Sequence, residues 1–160
     1  MNSKYILYGL AAVILFGIGI YFLPNISVQT IENPTEEITE EINSKITYVN
    51  ASDDMIVPEL PFPGAVVGKE FYAIGRARGN WFFEASFPIT LLGKDGKVLA
   101  QTYATAQGEW MTTEFVPFKS EPIKAPESYI GPATLVLHKD NASGLPEHDA
   151  SISFPITIEY

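Results

Sequence analysis

Residues 5–23, YILYGLAAVILFGIGIYFL, carry no charge and no strongly polar side chain, and no other stretch of the chain restricts its fold so tightly. As an α-helix it would be roughly 28 Å long, against a hydrocarbon core of about 30 Å. In hydrocarbon a lone segment satisfies its own backbone only as a helix. Tyr5, Tyr8 and Tyr21 lie toward its ends, where amphipathic rings favour the membrane–water interface, and Gly9, Gly17 and Gly19 are ordinary in membrane helices. The pattern predicts a transmembrane helix over 5–23, with a membrane as the first partner. A cleaved signal peptide would have a shorter apolar core and a small-residue cleavage site. This stretch runs instead into Tyr21-Phe22-Leu23-Pro24, so an uncleaved signal anchor is expected. Lys4 precedes it and no basic residue follows until Lys45. The positive-inside rule then leaves residues 1–4 in the cytoplasm and makes the chain a single-pass protein with an extracytoplasmic C-terminal domain.

Residues 24–53 change character. Glu32, Glu36, Glu37, Glu40 and Glu41 surround Pro34 with few large apolar groups, the composition of an acidic linker. Ile38 and Ile42 form a single helical ridge, too little to hold a helix by burial. Over the whole chain 10 Lys+Arg face 19 Asp+Glu, a formal charge of −9. That balance excludes nucleic acid as a partner, because its binders concentrate positive charge. With no cysteine, disulfides, thiolate chemistry and Cys-ligated metals are excluded; with only His138 and His148, so is a three-histidine site. No cofactor and no metal are expected.

From residue 54 to 160 the chain reads as all-β. Short runs rich in Val, Ile, Phe, Tyr and Thr recur between Pro and Gly, with no long helical period. Strands are predicted over 55–57, 70–76, 82–92, 98–106, 115–118, 133–138 and 152–160. In the last, Ile152, Phe154, Ile156 and Ile158 alternate with Ser153, Pro155, Thr157 and Glu159, one buried and one wet face. Pro155 cannot donate to a ladder, so that strand is expected at an edge or with a bulge. Along 82–92 the expected inward set is Phe83, Ala85, Phe87, Ile89 and Leu91. Gly93-Lys94-Asp95-Gly96-Lys97 supplies a tight hairpin turn. About seven short strands fit a small β-sandwich better than a closed barrel.

Three blocks go beyond a generic sandwich: GRARGNWFFEASFP at 75–88, GEWMTTEF at 108–115 and LHKDNASGLPE at 137–147. In order and spacing they resemble the bacterial spore-germination immunoglobulin-like domain, the module associated with the germination protein M domain. The resemblance covers roughly residues 56–158. It implies an extracytoplasmic immunoglobulin-like β-sandwich of about seven strands in a bacterium, tethered to the envelope, and it carries no catalytic residues. The 160 residues hold no second germination domain, so the expected role is that of a lone module in a cell envelope rather than one in germination.

Several residues carry chemistry in principle. Trp81 and Trp110 are rigid anchors for a partner or, alternatively, plugs of the sandwich core. Arg76 and Arg78 either bind an anion together or pair with carboxylates; Glu84 pairs with one of them if it points outward from its strand. These five are the ligand- or partner-binding candidates, and the expected partner is an envelope protein or a cell-wall glycan. Asp140-Asn141-Ala142-Ser143-Gly144 suits an Asx-type turn. With Glu147, His148 and Asp149 it is a poor calcium loop, since Ala142, Leu145 and Pro146 interrupt the ligand alternation. His138 is expected to face outward. No serine sits in a G-x-S-x-G elbow and no phosphate-binding glycine loop is present, so no catalysis is expected. Two alternatives remain: a carbohydrate- or peptidoglycan-acting enzyme built on surface carboxylates such as Glu84, Glu109 and Glu114, and a structural subunit of an envelope complex. The second would oligomerise through a membrane helix that lacks G-x-x-x-G spacing.

Overall fold

Runs of β-branched and aromatic residues, cut by Pro and Gly, build eleven strands in the computed structural model, which describes residues 46–160. They are β1 (Thr47–Val49), β2 (Ile56–Leu60), β3 (Val66–Val67), β4 (Glu70–Phe71), β5 (Ile74–Arg78), β6 (Ser86–Gly93), β7 (Val98–Ala106), β8 (Phe115–Ser120), β9 (Ile123–Lys124), β10 (Gly131–His138) and β11 (Ser151–Ile158). The transmembrane helix expected over 5–23, and the linker up to residue 45, lie outside the described residues. Among the described residues no helix is long and apolar enough to cross a membrane.

Nine strands share one hydrogen-bonded path, β1-β11-β10-β6-β7-β8-β5-β2, with β3 also on β11; β4 and β9 form a separate pair. Strand β7 is where the path folds over. Residues 98–105 of β7 pair with β6, whereas only Ala104, Thr105 and Ala106 pair with β8. The two halves therefore face each other across a single core. Phe87 of β6 meets Phe118 of β8 with ring centroids 5.0 Å apart and planes at 80°. Leu91, Leu135, Phe154 and Ile156 from one half and Ile56, Ala77 and Val116 from the other join the same buried cluster. This edge-to-face aromatic contact and the alternating aliphatic strands make a close-packed sandwich core without disulfides.

The strand count exceeds the expected seven because β1, β3, β4 and β9 have only two or three residues, too short for a period-two pattern to register. The sheet also begins earlier than residue 54: β1 pairs with β11 through Thr47, Tyr48 and Val49. The predicted strand 70–76 is interrupted, with β4 in the small sheet and β5 in the large one.

Two further corrections concern local geometry. The strand expected from residue 82 starts at Ser86. Before it, Phe83 and Ser86 exchange backbone hydrogen bonds of 3.0 Å in both directions, and the two residues between them have positive φ, 49° at Glu84 and 62° at Ala85. That is the signature of a type I′ turn, here without glycine. Phe83 is consequently exposed instead of inward, and Ala85 is only half-buried, while Phe87, Ile89 and Leu91 are buried as the alternation requires. Strand β11 is neither an edge nor bulged. It runs in unbroken register with β10 on one side, and on the other it carries β1 at residues 151–153 and β3 at 157–158. Pro155 falls in the gap between those two short strands. Its carbonyl accepts the Gly64 amide at 2.7 Å, so its missing N–H points where no ladder partner stands. The hairpin at 93–97 forms as expected, with Gly96 at φ 77° and Gly93 bonded to Lys97 O at 2.8 Å.

Candidate functional site

Strands β1, β5, β7 and β10 end, and β2, β6, β8 and β11 begin, at one end of the sandwich. Four loops (50–55, 79–85, 107–114 and 139–150) meet there, and with them all three sequence blocks singled out above. Glycine at position 79 is what lets two of them touch. A side chain there would stand 2.0 Å from Thr112 O and 2.2 Å from Trp110 O. The third block joins through the Asp140 amide, which donates to Trp81 O at 3.0 Å.

The two tryptophans part company. Trp81, in the 3₁₀ turn Gly79–Trp81, is fully buried and packs edge-on to Phe87 at 6.4 Å, so it belongs to the core. Its Nε1 has no hydrogen-bond partner among the described residues. Trp110 is half-buried against the core, with Met111 beside it 74% exposed.

Arg76 and Arg78 project from the outer face of β5 over the ring of Phe115 on β8, with Cζ 5.5 and 4.1 Å from its centroid. Neither is a free anion receptor. Arg76 Nη1 pairs with Glu59 Oε1 at 3.1 Å. Arg78 donates from Nε to Asp54 O at 2.9 Å and from Nη1 to Thr113 O at 3.2 Å, with Glu114 at 3.8 Å. Both therefore pair with carboxylates other than Glu84, which the type I′ turn removes from any strand face. The sequence reading missed Phe115 and Glu59, and it named Glu114 only as a surface carboxylate, not as a neighbour of Arg78. The i, i+2 spacing of Arg76 and Arg78 marks one strand face, but which strand lies beside it is a matter of topology.

Around 139–150 the turn reading holds. Gly144 takes φ 65°, and the Asn141 side-chain amide bonds Leu145 O at 2.8 Å and Asp149 Oδ1 at 2.7 Å. Ser143 donates its hydroxyl proton to Asn141 Oδ1 at 2.6 Å, so its 3.0 Å contact with His148 Nδ1 is not that of a nucleophile with a base. His138 faces outward as expected, bonded to Thr90 Oγ1 at 3.2 Å, and burial holds its pKa below the usual value against the nearby Asp149. Partial burial lifts the Asp140 carboxyl above the usual range; the Asn141 amide opposes the lift and the charge of Glu84 adds to it.

Glu84, Glu109 and Glu114 share this end, but all three are exposed. Among the described residues no group of three or more His, Asp or Glu side chains is placed to hold a metal. What the end does have is charge. Its four loops and Arg78 carry eight carboxylates against two cations, Arg78 and Lys139, whereas the six acids and six bases elsewhere among residues 46–160 cancel. All of the described residues' net charge sits at the loop end.

Comparison with curated proteins and with solved structures gives no match. The profile of one family, described as the immunoglobulin-like domain of bacterial spore germination, matches residues 56–145. That span begins on the first residue of β2 and ends inside the loop after β10, so it takes in β2 to β10 and leaves out β1 and β11. The chain belongs to the family of immunoglobulin-like domains of bacterial spore germination.

Proposed function

We propose that this protein is a membrane-tethered, non-catalytic binding or scaffolding module of a bacterial cell envelope, and that its loop end engages an envelope protein or a cell-wall glycan. The convergence of the three family blocks on one end of the sandwich carries the reading. Immunoglobulin-like domains work by presenting loops and edges rather than reacting groups, and binding residues concentrate on loops held by a rigid scaffold. The tether rests on residues 5–23 alone, and the acidic linker would give the domain reach from the membrane. Exposed Phe83, Met111 and Leu145 at the loop end supply apolar contact area of the kind that interfaces use.

Site-specific photo-cross-linking in the native host tests this. A photoreactive residue at position 111 or 145 is expected to yield discrete envelope adducts, and one at Lys94, on the far end, is expected to yield none. Equal patterns from both ends, or no adduct from either, would count against a loop-end binding module. Release of the protein from the membrane fraction on deleting residues 1–23 is the expected result for the tether.

A further inference from the structure

Beside the loop end, a groove of about 550 Å³ runs between the edges of β1 and β2. Tyr48, Val57, Pro58, Phe62 and Phe115 supply its apolar walls, and Phe62 is 51% exposed. The volume suits a few large side chains of a partner segment. Three observations define what such a segment must be.

The first is the state of the strand edge. Register and the 2.8 Å bond from Arg78 N to Met55 O set Val57 toward β5, so Ile56 and Pro58 present their backbone to the outer edge. The Ile56 amide is already bonded to Ser52 O at 3.3 Å, and proline has no N–H to offer. An added strand would find no free donor at Ile56 or Pro58, so recognition along this part of the edge runs through side chains. The second is the charge within the groove. Arg76 is neutralised by Glu59, whereas Asp53 and Asp54 form no ion pair with a described residue. Asp53 and Tyr48 both line the groove, and burial, then the charge of Asp53, holds the Tyr48 phenol above its usual pKa. The third is the setting. The Asp53–Asp54 end of the groove opens onto the loops that carry the net negative charge, so an anionic polymer would meet uncompensated carboxylates there.

We propose that this groove docks a segment of a partner protein that alternates large apolar side chains with lysine or arginine, the apolar groups seated against Phe62, Pro58 and Tyr48 and the cation facing Asp53 and Asp54. This rests on the binding-module reading and names the chemistry of its partner.

The test uses the full-length chain in nanodiscs of zwitterionic lipid and two short probe peptides, acetyl-Phe-Lys-Pro-Phe-Lys-amide and its counterpart with Glu for Lys. Calorimetric titration is run at about 50 and 300 mM salt, where screening differs most. The lysine peptide is expected to bind about tenfold more tightly than the glutamate peptide at low salt, with that margin shrinking at high salt. Asp53→Asn combined with Asp54→Asn is expected to weaken the lysine peptide about tenfold. Phe62→Ser is expected to weaken both peptides. Both variants alter exposed side chains, and unchanged thermal midpoints confirm their folding. Equal binding of the two peptides, insensitivity to either variant, or no binding of the lysine peptide would each overturn the proposal. The cross-linking experiment then decides separately whether the module has a partner elsewhere on its surface.

Discussion

Arg78 lies with its guanidinium carbon 4.1 Å from the ring centroid of Phe115 while its N–H groups hold two loop carbonyls, Asp54 O and Thr113 O. One side chain thus ties the β1–β2 turn to the β7–β8 loop. Lysine keeps the charge but not the planar fork, so Arg78→Lys is expected to cost about 1–3 kcal/mol. Glu114 is 81% exposed and 3.8 Å away, so Glu114→Gln is expected to change stability by less than about 0.5 kcal/mol. Urea unfolding of the two variants separates the clip from the ion pair.

The tryptophans should differ in the same assay. Trp81→Ala empties a fully buried site in contact with Phe87 and is expected to cost about 3–5 kcal/mol, enough to unfold a small sandwich. Trp81→Phe also loses volume, but it removes a buried N–H that has no partner among the described residues, so its cost should be clearly smaller. Trp110→Ala should leave a cooperative transition, which makes position 110 the usable one for binding studies.

Glycine 79 is predicted to be intolerant. Gly79→Ala places a methyl group against two backbone carbonyls that cannot move without opening the 107–114 loop, so loss of the thermal transition is expected. Gly108, in that same loop, has nothing within 4 Å of an added methyl and no positive φ. Gly108→Ala should match the parent's Tm.

The type I′ turn at Glu84 and Ala85 stores strain, because neither residue favours the left-handed region. Replacing the pair with Asn-Gly is expected to stabilise the domain by about 1 kcal/mol and to raise Tm. A fall in Tm would mean that these two side chains make contacts worth more than the strain.

For His138 the pH dependence has a definite sign. Burial depresses its folded pKa below 6.5, so the unfolded chain binds the proton first on acidification. Its contribution favours the fold above the unfolded pKa and is lost as pH falls from about 6.5 toward the folded pKa. Urea midpoints should decline over that window in the parent, and His138→Gln should flatten the decline.

How much of this was legible in the sequence depends on the range of the interaction. Strand β7 was found to the residue, and the inward set of β11 was read correctly, because alternation is local. Glu84 was misplaced because the exposed Phe83 continues the hydrophobic pattern of β6 backwards through a turn that has no glycine to announce it. The two- and three-residue strands, the ring under Arg76 and Arg78, and the groove between β1 and β2 all depend on which segments become neighbours, and a residue pattern does not encode that directly. Residue 53 lies in the expected linker, and residues 54 and 58 lie outside any expected strand; only the fold makes them one wall.

Pro155, in the gap between β1 and β3, has a consequence for how these molecules behave together. A foreign strand that displaced both short strands would have to run the length of β11 and would find no amide at the midpoint. With both short strands displaced, this edge of β11 is thereby a poor template for strand exchange between copies. Restoring the donor with Pro155→Val should lower that barrier first in concentrated samples, visible as dye-binding aggregates before any change in Tm.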